Sequence, residues 1–209
     1  MGAPCAICWP RWACPGSASS GPPARGRSWG LRTSAPRPGG GISMSEVLSI
    51  KDFRRAQGMR AIGSAIVTAE TEDGPAGFLA LSATHLTASP SIMCVAVMPT
   101  TSALGVIRKA GAFAINYLAE QGGQAILDRF AGGDAPKGAA RFDGLELGRM
   151  ATGAPILPGN LGAMDCRLEQ EQEAFGTLLL FGLIEAVTQD TAQRSLVHFA
   201  GGTSTLSKT

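Results

Sequence analysis

The chain has 209 residues, of which 44% are hydrophobic, with 28 Gly and 13 Pro, so one domain with a substantial core and many turns fits its length. No apolar run approaches the roughly 18–20 residues of a membrane-spanning helix, which excludes that class. The net charge of +2 is unevenly spread: Arg11, Arg25, Arg27, Arg32 and Arg37 lie in residues 1–43 with no acid, leaving 13 basic against 16 acidic side chains, a net of −3, in residues 44–209. A mildly acidic folded part argues against a nucleic-acid surface, which needs clustered Lys and Arg.

Residues 1–43 are rich in Gly, Pro and Ser and show neither helical nor strand period. Such a segment buries too little apolar area to offset its ordering entropy, so we expect it to be disordered. Pro10, Arg11 and Pro15 interrupt any signal-peptide core. Cys5, Cys8 and Cys14 resemble half a zinc site, but no second Cys or His pair follows at ligand spacing, so no metal is expected. Five cysteines, an odd number, do not suggest a secreted disulfide framework, and a cytoplasmic protein is the simpler expectation. Ordered patterning begins at Met44, where we expect translation to start, and the domain is expected over residues 44–209.

In chain order, SIKDFRRAQGM predicts a helix capped by Ser49, with Asp52 three residues on as a capping-box variant. AIGSAIVTAE predicts a strand that turns at Asp73–Gly74 into a second, giving a hairpin. The stretch AGFLALSATHLTASPS, residues 76–91, reads as a strand running into a turn. SIMCVAVM, short and almost wholly apolar, predicts a strand buried on both faces. TSALGVIRKAG predicts a helix stopped at Gly111, FAINYL a strand, and GGQAILDRFAGG a short helix. Met164, Cys166 and Leu168 alternate with Asp165, Arg167 and Glu169, which predicts a strand with one wet face. TLLLFGLIEAVTQ predicts a long buried strand and SLVHFA a last short one. Strands dominate and helices are few, so the fold class is mainly β with peripheral helices, a small barrel.

Residues 76–91 carry Ser82, Thr84, Thr87, Ser89 and Ser91 but a single titratable side chain, His85. Two readings stand. Small hydroxyls are common at strand ends and turns, and they also suit a ligand rich in hydrogen-bond acceptors, such as a phosphate. Catalytic motifs are scarce: two histidines, His85 and His198, and no HExxH, CxxC pair, Walker loop or GxSxG elbow. A chain so poor in acid–base groups is expected to leave the chemistry to a cofactor.

From Phe53 to His198 the chain resembles the flavin reductase-like family, whose fold is an FMN-binding split barrel. The resemblance rests on FRRAQGMRAIGSAIVTA, AGFLALSATHLTASPSIMCVAV, PTTSALGVIRKAGAFAINYLAE, DRFAGG and GAPILPGNLGAMDCRLEQ, five blocks in the family's order. It implies that Ser82 with Thr100, Thr101 and Ser102, just before a helix, cradles the flavin phosphate. It also implies that the isoalloxazine lies along the backbone of Leu79, Ala80 and Leu81. Leu79 and Leu81 stand where the family usually has hydroxyl or amide side chains. Phe175, Gly176 and Thr177 replace the family's Gly-Asp-His, a motif linked to the nicotinamide dinucleotide. Thr177 and His198 are the expected substrate contacts, although a strand-end role for His198 is as well supported.

Two functions follow from the resemblance. One is a reductase that passes hydride from NADH or NADPH to FMN, with FAD as a second candidate, and supplies a partner monooxygenase. The other is a split barrel that binds flavin without turning over nicotinamide, favoured by the missing Gly-Asp-His. The apolar strands SIMCVAVM and TLLLFGLIEAV, together with the resemblance, lead us to expect a homodimer.

Overall fold

The computed structural model describes residues 49–206 apart from Gly133; the expected disordered segment 1–43 and the expected start at Met44 lie outside the described residues. Helix α1 (Ile50–Gln57) begins as its sequence dictates. The Ser49 hydroxyl accepts from the Asp52 amide at 3.1 Å and donates to the Asp52 carboxylate at 2.6 Å. That satisfies one of the amides a helix start leaves unpaired. No side chain of α1 is buried.

Two sheets follow. The smaller joins β1 (Ile62–Gly63), β11 (Leu196–Phe199) and β12 (Gly202–Thr205), all antiparallel. The larger has seven antiparallel strands in the order β3-β2-β6-β9-β10-β5-β4. These are β2 (Ala65–Thr71), β3 (Gly74–Leu79), β4 (Thr84–Ala88), β5 (Ser91–Val97), β6 (Ala112–Leu118), β9 (Asn160–Ala174) and β10 (Thr177–Gln189). The short pair β7 (Gly148–Arg149) and β8 (Pro155–Ile156) stands apart from both.

The order has a geometric consequence. β3 and β4 are the two edges of the seven-stranded sheet, yet only residues 80–83 connect them. Flat strands spaced at about 4.8 Å would hold those edges roughly 29 Å apart. The five steps from Leu79 to Thr84 reach about 17 Å when fully extended. The sheet must therefore curl, and its concave face closes around one core. Val67, Val95, Val97, Phe113, Ile115, Cys166 and Leu180 meet there, each at most 3% exposed. Helix α2 (Ala103–Ala110) adds Leu104 and Ile107 to the same core and stops at Gly111 in the left-handed conformation, φ 64°. On the opposite face, α3 (Glu120–Phe130) and a 3₁₀ turn at Gly138–Phe142 cover Ile66 and Leu118 with Leu127, Phe130 and Phe142.

Four elements differ from the sequence expectation. Residues 76–91 run from a strand into a turn as read, but a second strand follows within them: the chain leaves β3 at Leu79, turns, and starts β4 at Thr84. β5 is not buried on both faces: Met93, Val95 and Val97 are buried, while Ile92, Cys94 and Ala96 are half-covered. Asp165 alternates as read but does not face water, because residues 152–157 fold over it. It is fully buried and accepts from the Thr152 amide at 2.7 Å and from the Thr152 hydroxyl. SLVHFA is followed by one further strand, β12.

The same 152–157 segment is tied to the barrel by a buried polar group. Thr68 Oγ1 donates to the Pro155 carbonyl at 2.5 Å, and Asn116 Nδ2 donates to Thr68 Oγ1 at 3.0 Å. Asn116 Oδ1 accepts from the Leu157 amide at 2.8 Å. Buried donors and acceptors that are paired in this way avoid the cost of desolvation without a partner. Among the described residues no helix is long and apolar enough to cross a membrane.

Two glycines give a paired test of the packing. A Cβ at Gly182 of β10 would stand 2.5 Å from the Phe113 ring and 2.8 Å from the Cys166 Cβ, whereas one at Gly105 of α2 would meet nothing within 4 Å. Gly182→Ala is expected to lower unfolding free energy by about 1–3 kcal/mol through overpacking. Gly105→Ala, on an exposed helix position, should raise it by about 0.5–1 kcal/mol. Urea unfolding of the two variants checks the opposite signs.

Candidate functional site

Where β3 and β4 part, the wall of the barrel carries a groove of about 710 Å³. That volume falls in the range of small-molecule and cofactor sites. One wall is the end of β3 and the link that follows it, Phe78 to Ser82, with Ala96, Val97 and Met98 from the end of β5 and Thr101 before α2. The other is Phe53, Arg54 and Gln57 of α1, then Arg60, Ile62, His198 and Gly201. This second wall is a unit: Ile62 of β1 pairs with His198 of β11, and the Ala200 amide donates to the Gly58 carbonyl at 3.0 Å.

The link is held to both neighbours. The Ala80 amide donates to the Ala65 carbonyl at 2.8 Å, extending the β2–β3 pairing past the end of β3. On its other side, the Ser82 hydroxyl donates to the Ala96 carbonyl at 2.9 Å and accepts from the Ala96 amide at 3.2 Å. Ser82 thereby takes the place of a strand residue opposite β5 and fixes the course of the backbone along the groove. Its hydroxyl proton is committed to that bond.

Of the residues singled out in the sequence, the structure brings Leu79, Ala80, Leu81, Ser82, Thr101 and His198 together around the groove. Thr100 and Ser102 flank Thr101 in the exposed turn before α2 but do not line the groove, and Ser102 makes no side-chain cap. Thr177 pairs with Ala174 at the base of the β9–β10 turn, outside the groove walls; the tip residue Phe175 is fully exposed. Of the other hydroxyls in residues 76–91, Thr87 bonds the Ser89 backbone and Ser91 the Ala88 carbonyl, as turn residues do. The turn reading thus holds for Thr87 and Ser91, and Ser82 is the one hydroxyl of the stretch that lines the groove.

Sequence reasoning missed Arg54, Gln57 and Arg60, the polar side chains of the second wall. A signal was present: FRRAQGMR places three arginines within seven residues of a domain that is otherwise slightly acidic. Among the described residues no Asp or Glu lines the groove. The two described cysteines are poor candidates for thiolate chemistry. Burial, followed by the nearby Asp165 charge, pushes the Cys166 thiol up to about 12, and burial also raises Cys94.

An apolar channel with backbone along one side and cationic groups on the other fits a flat, phosphate-bearing ring system. Phe78, Leu79, Val97 and Ile62 offer apolar surface to a ring, while Arg54, Arg60 and the turn at Thr101 offer donors to anions.

Comparison with known proteins gives the same indication. The profile of the flavin reductase like domain matches residues 59–207. The chain is 32% identical over 155 residues to the FMN reductase (NADH) RutF 2 of Methylorubrum extorquens (strain PA1), covering 73% of this chain and 87% of that protein. It is 28% identical over 163 residues to HsaB of Rhodococcus jostii (strain RHA1), the reductase subunit of a flavin-dependent monooxygenase, covering 78% and 81%. Among solved structures, the NADH:FAD oxidoreductase SgcE6 of Streptomyces globisporus C-1027 superposes with a TM-score of 0.69 at 22% identity, covering 78% of this chain and 98% of that one. At that identity the likeness speaks for the fold, a split barrel. Residues 59–207 make up most of the chain, and the protein belongs to the flavin reductase like domain family.

Proposed function

We propose that the groove binds FMN and presents it to NADH, so that the chain reduces flavin and supplies it to a partner monooxygenase. The observation that carries this reading is a cavity of about 710 Å³ walled by Leu79–Ser82 and, among the described residues, free of carboxylates, in a chain of this family. The reductase names of its relatives, one of them a monooxygenase subunit, support the activity and the partner. When bound, the flavin accepts the hydride that the nicotinamide gives up.

The residues of this chain bind and align. Leu79, Ala80 and Leu81 run beside the ring system, and Ser82, bonded to β5, holds that strip of backbone in place. Thr101 contacts the flavin phosphate, with Thr100 and Ser102 shaping the turn that presents it. His198 faces the groove from the opposite wall, where it contacts the nicotinamide. Holding two rings at near-attack distance removes translational and rotational entropy from the barrier, which is the main catalytic contribution such a site makes. Excluding water between the rings is the other.

A second reading, flavin binding without nicotinamide turnover, is favoured by the position of Thr177 away from the groove. Mixing the flavin-loaded protein with NADH under anaerobic conditions separates the two. Bleaching of the flavin absorbance on the timescale of turnover is expected, and a band that persists would establish the second reading.

We place the working form as a cytoplasmic homodimer. Phe53, Met59, Met98 and Leu86 are each more than half exposed, and Phe53 and Met98 lie at the groove itself. Apolar groups of this size at the rim of a site mark a surface that is covered in use. Dissociation on dilution, followed by light scattering, should be suppressed by FMN, because a ligand bound between subunits stabilises the pair. A monomer that binds FMN tightly would refute the arrangement.

Single-residue changes test the phosphate position. Thr101→Ala should weaken FMN by about 1–3 kcal/mol, the worth of one charge-assisted bond, and leave riboflavin unchanged. Ser82→Ala should weaken both ligands alike, since its hydroxyl acts on the wall. Fluorescence titration with the two flavins distinguishes these patterns.

A further inference from the structure

We propose that Arg54 and Arg60 form a second anion site on the α1 side of the groove, which holds the diphosphate bridge of a dinucleotide. The inference rests on the flavin reading above and adds to it a place for a second nucleotide.

The arginines of the described chain fall into two sets. Arg108, Arg149, Arg167 and Arg194 are paired with Glu171, Glu70, Glu169 and Glu120. Arg129 and Arg141 donate to backbone carbonyls. The side chains of Arg54, Arg55 and Arg60 have no ion-pair or hydrogen-bond partner among the described residues, and of the three Arg54 and Arg60 line the groove. The acid nearest to them in sequence, Asp52, is engaged with the Ser49 hydroxyl, and residues two apart on a helix do not face each other. With no carboxylate among the described residues of the walls, these two guanidiniums give the groove its positive charge within a domain of net −3 over residues 44–209.

Two guanidiniums match the two charges of a dinucleotide's diphosphate, and their planar forks suit its oxygens. Phe53 lies beside Arg54 on the same wall and is 52% exposed, an open ring face on which a purine can stack. FMN carries one phosphate, and the flavin reading places it at Thr101 on the facing wall. An anion at Arg54 and Arg60 therefore belongs to another nucleotide, the nicotinamide dinucleotide, because the diphosphate of FAD includes the phosphate placed at Thr101. It would supply recognition that Phe175, Gly176 and Thr177 do not, since those residues lie off the groove.

The test compares the full chain with R54Q/R60Q, using R55Q as a control that removes one charge from the same helix outside the groove. Flavin fluorescence gives the Kd of riboflavin, FMN and FAD, and nicotinamide fluorescence gives the Kd of NADH. Both arginines are exposed, so the melting temperature should not change. In R54Q/R60Q we expect riboflavin, FMN and FAD to bind as before, while NADH weakens by about tenfold or more, as loss of charge-assisted bonds predicts. R55Q should bind all four ligands like the parent. Weakening of NADH alone identifies the nicotinamide dinucleotide as the occupant, and weakening of FAD alone overturns the proposal, because the pair would then hold the flavin's own diphosphate. Unchanged binding of NADH also overturns it, as does equal weakening in R55Q. Loss of FMN affinity with riboflavin unchanged also overturns it, because the pair would then hold the flavin's own phosphate. If the parent protein binds none of the three flavins, the flavin reading itself fails, an outcome distinct from any effect of the arginine changes.

Discussion

Everything in this molecule depends on four residues having to connect the two edges of a seven-stranded sheet. The link from Leu79 to Thr84 is too short to cross a flat sheet, so the sheet curls until its edges approach. Closure creates the interior that Phe113 and Leu180 fill, and it places the connecting turn in the barrel wall. The turn cannot continue either edge strand in full. It bonds to β2 through Ala80 and to β5 through Ser82, and the groove lies along the backbone between those two attachments. Fold and site have one cause.

The second wall is built differently. Helix α1 buries no side chain, and its end is fastened to the β11–β12 turn by the Gly58 carbonyl. One side of the groove is thus part of the barrel, fixed by the core behind it, and the other rests on a few local contacts. Elements with few buried contacts open at lower free energy than the core does. A site that must admit a second nucleotide and then release it is served by having one fixed and one yielding side. The charges follow the same division: the fixed wall is apolar or hydroxyl-bearing, and both arginines stand on the yielding one.

Local features were legible in the sequence because local chemistry decides them. Ser49 with Asp52 fixed the start of α1, Asp73–Gly74 the first hairpin, and Gly111 the end of α2. The mainly β barrel followed from strand count, and its family from five blocks in order. What could not be read required knowledge of distant segments. Asp165 alternates like a solvent-facing residue, yet it is buried and bonded to Thr152, thirteen residues before it. Ser82 looked like a ligand for phosphate, whereas its partner is Ala96, fourteen residues on. Arg54 and Arg60 were given no role from the sequence: their run is visibly cationic, but nothing in it shows that the β11–β12 turn is fastened to the end of α1.

The contact between Phe113 and Gly182 also constrains how this barrel can change over evolutionary time. Because β10 lacks a side chain at the point where the Phe113 ring lies, the interior there has no room for a larger residue. Substitutions that enlarge or reshape the ligand space must then arise at the margin of the groove, on α1 and around the β11–β12 turn, where added atoms meet solvent. Related barrels that accept different flavins or different nicotinamide donors would therefore be expected to share their bore and to diverge at the rim.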